Sequence, residues 1–425
     1  MTAQYRSTLH IAFVLAVTWL VTTIMITGSF MLILEPAQGA EQHTRTSAER
    51  LSAKVGKPLQ EAQKLIGEKK YKEALAKIAE AEAVEKRTAY EDYTISEMKG
   101  FAAYNTGDLA AAAAAFSSTI DSPYMDPADR TTRLLVLSQI SYQMKQYPKA
   151  VDYGNKYFQA GGDKIDGKIL VGQAYYFQKD CANASQTMRE AVSMAQKAGQ
   201  KPQEPWYQLI MSCDYQLKNE AGVDWALTQL VKQYPSKEYW NDLLNQLLGR
   251  QGQSDALILD IYRLKRAAGV LTDPSEIMEM AEMSLHAGLP GEARSILEEG
   301  FANKILGSGN DVERQNRLLA LAKQQAQEDL KSLADNEKQA AAAATGEADI
   351  KLGDAYWSYG QNDKAVEAFQ RGLDKGGVKN PDLAKLHLGL ALVGAGRKAE
   401  AAETFRALKG SATLSSLADL WTVAL

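Results

Sequence analysis

Catalysis needs a nucleophile, a base and an orienting group at matched spacing, and a metal site needs His, Cys or carboxylates at helical or loop intervals. The four histidines, His10, His43, His286 and His387, stand singly with no second ligand at helical spacing. Cys181 and Cys213 are the only cysteines and allow at most one internal disulfide, which leaves their pairing open. No G-x-x-x-x-G-K-[ST], G-x-S-x-G or H-E-x-x-H occurs. Gly394, Gly396 and Ala399 spell G-x-G-x-x-A, but a dinucleotide fingerprint follows a strand and here a helical pattern precedes it. Most carboxylates have Lys or Arg nearby, as in Glu68, Lys69, Lys70, Lys72 and Glu73, and read as solvated helix faces. The expectation is a protein that is not an enzyme, with no cofactor and no metal.

Recognition chemistry is better represented. Tyr104, Tyr142, Tyr176 and Tyr215 recur at intervals of 38, 34 and 39 residues. Around them stand Phe101, Gln139, Gln143, Gln173, Phe177, Gln208 and Gln216, with Asn241, Asn245 and Trp357 further along. Rigid rings beside uncharged amides offer apolar contact and hydrogen bonds together, which suits an extended peptide or a partner helix. The same rings could instead simply pack between helices. Lys and Arg are almost absent from these positions, which disfavours a clamp for a peptide's terminal carboxylate.

The elements that carry these residues repeat. Small or apolar residues at Ala62, Gly100, Ser138, Gly172, Met211, Leu244, Ala281, Gly353 and Gly389 are spaced by 38, 38, 34, 39, 33, 37, 72 and 36. The interval of 72 holds two periods, so a degenerate unit is expected near Ala320. A second column, Ala74, Ala112, Ala150, Ala184, Ala256 and Ala293, supports the register. Small residues at both places let two antiparallel helices approach closely. One hairpin alone cannot bury its apolar face, so the hairpins must stack.

The last copies are the clearest. Leu352, Gly353, Tyr356, Ala365, Phe369 and Gly372, then Leu388, Gly389, Leu392, Ala401, Phe405 and Leu408, fall at the offsets L-G-x2-Y and A-x3-F-x2-A. Over roughly residues 55 to 410 the chain resembles tetratricopeptide-repeat proteins. That resemblance implies an all-α solenoid of about nine or ten helical hairpins, wound as a right-handed superhelix, with the tyrosine and amide positions facing a concave groove. Beyond the repeat, V-G-K-P-L-Q-E-A-Q, K-E-Y-W-N-D-L-L and A-K-L-H-L-G-L-A resemble exported repeat proteins of Gram-negative bacteria, some of which carry names tying them to the TonB energy-transducing system. This implies a periplasmic scaffold whose partner is a protein, a TonB-system component among the candidates. The alternative is an accessory subunit that positions a peptide, glycan or lipoprotein substrate for an envelope enzyme.

Flanking segments complete the plan. Ile11 to Leu34 is a run of 24 uncharged residues, about 36 Å as a helix, enough for a bilayer core of about 30 Å. It reads as a transmembrane anchor or as a cleaved signal, with Ala37, Gly39 and Ala40 available for a cut. Signal-like order favours a periplasmic body, although Arg45, Arg50 and Lys54 after the run would favour a cytoplasmic one. The expected division is 1–34 membrane segment, 35–54 polar tether, 55–306 about seven repeats, 307–345 a long helix after a break at Gly307–Asn310, 346–410 two repeats and 411–425 a capping helix. A balance of 48 basic against 52 acidic residues gives no field for a phosphate backbone, so nucleic acid is not an expected partner.

Overall fold

A computed structural model describes residues 50–408 and 412–424 of the chain. The apolar run and most of the tether lie outside the described residues. These form twenty helices and no strand, and no helix among them is long and apolar enough to cross a membrane. The chain divides into two compact units between Ala226 and Leu227.

In the first unit hairpins follow one another as α1 Ala53–Gly67 and α2 Tyr71–Glu82, α3 Ala89–Thr106 and α4 Leu109–Thr119, α5 Pro127–Gln143 and α6 Tyr147–Gln159, α7 Ile165–Phe177 and α8 Cys181–Lys197, then α9 Glu204–Gln216 and α10 Glu220–Gln233. The division falls inside α10. The second unit continues with α11 Lys237–Leu248 and α12 Asp255–Ala267, α13 Pro274–His286 and α14 Pro290–Ala302, the single helix α15 Val312–Ala342, α16 Glu347–Ser358 and α17 Asn362–Lys375, α18 Pro381–Gly394 and α19 Lys398–Arg406, and α20 Ala412–Ala424.

The small-residue column has a direct cause. A Cβ added at Gly100 would sit 2.4 Å from the Phe116 ring, at Gly353 2.7 Å from Phe369, and at Gly389 2.3 Å from Phe405. Each second helix thus drives an aromatic ring into a gap left by the first. Between and within hairpins, carboxylates expected on solvated faces are in several cases buried. Glu97 accepts from Thr119 at 2.5 Å and pairs with Arg133 of the next hairpin, whose guanidinium covers Phe116. Asp214 pairs with Arg189 at 2.5 Å, and Asp349 with Arg371 and Lys375 at 2.6 and 2.8 Å. Burying one such charge without its partner costs several kcal/mol, on the order of 3–5.

Most first helices end in one left-handed residue, with the N–H of that residue and of the next bonded back to the last helical turn, as at Lys145 and Gln146. Glycine takes this conformation freely, but Lys69, Lys145, Lys179 and Lys218 also hold it. An L residue there costs roughly 1–2 kcal/mol, of which a cation at a helix C-terminus recovers about 0.3–1.

Two features depart from the regular array. Near Ala320 there is one long helix rather than a hairpin: α15 packs on both α14 and α16, burying Ala322 and Ala326. The stack runs through it, and no division of the chain falls at Gly307–Asn310. The second departure is α12. Ala256, expected against its partner helix, is exposed, whereas seven consecutive residues from Leu259 to Lys265 are buried. A helix buried all round has neighbours on every side. Here they are α11, α13 and α20, with side chains of α16 and α18 completing the wall. The terminal helix α20 buries Leu417, Ala418, Leu420 and Trp421, and it packs on α18 and α19 as well as α12.

Candidate functional site

In the first unit Tyr104, Tyr142, Tyr176 and Tyr215 all lie in the last turn of a first helix, on α3, α5, α7 and α9. The contacts of α5 with α7 and of α7 with α9 bring three of these turns side by side. Tyr142 donates to Gln173 Oε1 at 3.1 Å and meets Phe177 edge-on at 6.1 Å between centroids. Tyr147, at the start of α6, stacks on Phe177 at 5.0 Å and closes the cluster, with Tyr176 edge-on to Phe177. Burial pushes the Tyr104, Tyr142 and Tyr176 phenols upward, so each stays a neutral donor.

The positions grade from core to surface. Gln139 is buried, and Phe101 and Tyr104 are half-buried beside the core around Phe116. Gln173 and Gln208 are half-buried, while Gln143 and Gln216 are exposed. Phe177 is 41% exposed, Tyr215 57% and Leu217 46%. Among the described residues of this unit these three are the exposed large apolar side chains, and all sit at the C-terminal ends of adjacent first helices. Tyr147 and Leu217 were not among the residues singled out from sequence. Tyr147 opens a second helix, and Leu217 stands at a turn position where a polar residue is ordinary. Beside Leu217 an open cleft of about 520 Å³ is lined by Ser185, Arg189, Ser193, Asp214 and Asn219, among others. Arg189 also lies over the Trp225 ring at 4.2 Å.

Asn241, Asn245 and Trp357 belong to the second unit, where Asn245 and Trp357 contact buried charged side chains. Asn245 accepts from Lys265 Nζ at 2.7 Å, and Lys265 in turn pairs with Glu276 at 2.5 Å. Asn241 is half-buried on α11. Trp357 is covered by the Arg263 guanidinium at 4.6 Å and lies 5.7 Å from the His387 ring. Beneath it is a charged cluster that sequence spacing did not suggest. Asp260, fully buried, contacts Arg263 at 2.7 Å and His387 Nε2 at 3.2 Å. Arg263 also makes a two-bond fork to Glu292, each at 2.8 Å, and His387 Nδ1 meets Asp354 at 2.6 Å. Burial alone would lower the His387 pKa, but Asp354 and Asp260 outweigh it and raise it to about 10. Burial likewise pushes Asp260 upward, yet His387 and Arg263 prevail and its pKa is lowered. For His387 and Asp260 the partners thus favour the charged forms over the neutral ones. The cluster ties α12 to α14, α16 and α18 through ion pairs.

Among the described residues no group of His, Cys, Asp and Glu is arranged to hold a metal ion. Cys181 and Cys213 are buried free thiols, with Cys213 pushed upward by burial and by Cys181 beside it.

Residues 59–126 and 350–415 match the family model described as tetratricopeptide repeat. No curated protein matches the chain. Among solved structures, a tetratricopeptide repeat protein from Parabacteroides merdae is 11% identical, with 80% of this chain and 100% of that one covered at a TM-score of 0.32. The TPR2AB domain of yeast Sti1 in complex with pHSP90 is 14% identical over 70% of this chain and 99% of that one, TM-score 0.24. Yeast Tom70 is 10% identical over 87% and 94%, TM-score 0.25. Likenesses at these TM-scores carry no argument about function. The described residues are thus all-α, mostly in hairpins, and the match to the tetratricopeptide-repeat model covers 59–126 and 350–415.

Proposed function

We propose that the protein is a non-catalytic scaffold that binds a partner polypeptide on the first-helix face of its first unit. Tetratricopeptide repeats are in general interaction modules, and the chemistry of this face fits that role. The observation that carries the proposal is the grouping of Phe177, Tyr215 and Leu217, each more than 40% exposed, on neighbouring helix ends beside uncharged amides. Monomeric proteins seldom leave such side chains together unless something covers them. A rigid aromatic cluster with Gln143 and Gln216 at its border would hold an apolar peptide or helix face by rings, and its backbone or polar edge by amides.

Placement in a bacterial envelope is part of the proposal. It is supported by the apolar run at 11–34 and by the resemblance to exported repeat proteins, and the TonB link rests on that resemblance alone. The second reading, an accessory that presents a substrate to an envelope enzyme, uses the same face and differs in what the captured partner does.

The test is crosslinking in intact cells with the full chain and a Phe177→Ser, Tyr215→Ala, Leu217→Ala variant whose helical content matches the parent. A partner captured by the parent and lost from the variant supports the proposal. Capture of the same set by both removes this face as the interface.

A further inference from the structure

The left-handed turn residues are distributed unevenly. Where a first helix passes into its second, the first unit uses Lys69, Gly107, Lys145, Lys179 and Lys218, whereas the second unit uses Gly252, Gly288, Gly360 and Gly396. The backbone bonds that close the turn are the same at the four lysines and at Gly288, Gly360 and Gly396, as in Lys179 N–H to Tyr176 O and Gly360 N–H to Trp357 O, while Gly252 stands in a longer connection after Leu248. Glycine is the unstrained choice, and a lysine is favoured by the helix dipole in both units equally. Neither term explains four lysines in five turns of one unit and none in the other.

Turns of this kind lie along one edge of a stack of hairpins, which puts the four lysines on one edge of the first unit, with the Gly107 turn between Lys69 and Lys145. All four are exposed, and none enters an ion pair among the described residues. Lys72 and Lys149 stand in the first turns of α2 and α6 on the same edge. The nearby acids are largely occupied. Glu68 pairs with Lys70 at 2.8 Å, and the Asp108 and Asp180 carboxylates cap α4 and α8. Asp108 and Asp180 keep their charge while capping, and with Glu73 and Glu220, in the first turns of α2 and α10, they are the opposing charges.

We propose that this lysine edge rests on the anionic headgroups of a lipid bilayer. Separate point charges spread along an edge suit a planar, laterally mobile array of phosphates, whereas the cleft beside Leu217 carries Glu190 and Asp214 in its wall, which does not favour an anion. The same chain supplies the means of approach, a placement that rests on residues 11–34 being a membrane segment. Residues 35–52 would then join that segment to α1 with a reach of at most about 60 Å.

The experiment uses the full chain with vesicles of phosphatidylcholine alone or with added phosphatidylglycerol, and compares it with the K69G/K145G/K179G/K218G variant. Glycine removes backbone strain at each site, so the variant is expected to melt at or above the parent temperature. Flotation with neutral vesicles reports on residues 11–34 by themselves. If the chain floats, acylation of the four lysines should be at least about fivefold slower on anionic than on neutral vesicles, with protection lost in high salt. Equal acylation on both overturns the edge proposal and leaves the membrane segment standing. If the chain does not float with neutral vesicles, the membrane segment is what fails. The edge should then still draw the parent onto anionic vesicles at least about tenfold better than the variant, and equal partitioning overturns it. Protection by soluble polyglutamate but not by anionic vesicles overturns it in favour of an acidic polypeptide.

Discussion

Replacing His387 with leucine removes the cation that Asp260 and Asp354 share. In the parent, Asp260, Asp354 and Glu292 face Arg263 and His387, one negative charge in excess. The variant raises the excess to two and leaves fully buried Asp260 with a guanidinium already forked onto Glu292. The pKa of His387 is raised from 6.5 to about 10, so its contribution is complete below about 6.5 and is lost as pH rises through 10. At 1.36 kcal/mol per unit the full contribution is about 5 kcal/mol, and about 3 kcal/mol of it disappears between about pH 6 and 9. The expected cost of the substitution near neutral pH is about 3–5 kcal/mol, since the leucine side chain would fill most of the space beside Trp357 and Phe369. Hydrogen exchange of the α12 and α18 amides, followed across that pH range, reads both numbers. Parent protection should fall with pH while the variant, already low, stays nearly level. Parallel pH dependence in the two, or a loss under about 1 kcal/mol, would refute the account of the cluster as a charged lock.

Three further outcomes follow from the packing. Gly346→Ala would place a Cβ 1.8 Å from the Gly372 carbonyl oxygen, backbone against backbone, so loss of α16–α17 packing by more than about 3 kcal/mol is expected in urea unfolding. Lys218→Gly alone should raise the stability of the first unit by up to about 1 kcal/mol, and a lower melting temperature would contradict the strain assigned to that turn. Cys181 and Cys213 should alkylate roughly a hundredfold more slowly in the folded chain than in denaturant at pH 8, because both are buried from the reagent and burial also pushes the Cys213 thiol up; rapid labelling under native conditions would show that the α8–α9 contact opens.

The hairpin frame was legible because its geometry demands a residue type. Gly100, Gly353 and Gly389 face rings that leave no room for a side chain, and the period follows from them. The tyrosines were legible as a series, but their division into packed and exposed members was not. That division depends on Tyr147 and Leu217, which lie off the recurring positions. The frame failed at Ala256 for a physical reason. A-L-I-L-D-I-Y-R-L carries two charges inside an otherwise apolar run, which a helix with one solvated face would not need. Read alone, Asp260 and Arg263 are an ordinary i,i+3 surface pair. Their burial is decided by His387, more than a hundred residues later, and a single histidine within L-H-L has no periodic partner to announce it.

The all-round burial of α12 also bears on how the two halves of the chain can change over generations. A simple stack tolerates duplication or loss of a hairpin, because each unit touches only its neighbours. The first unit's neighbour-by-neighbour hairpins fit that rule. In the second unit, inserting or deleting one hairpin between residues 270 and 345 would carry His387 and Trp357 a full step away from Asp260 and Arg263. Its repeat number is therefore fixed by a contact between non-adjacent members, and it should fold as one indivisible block, whereas the first unit is free to vary in length.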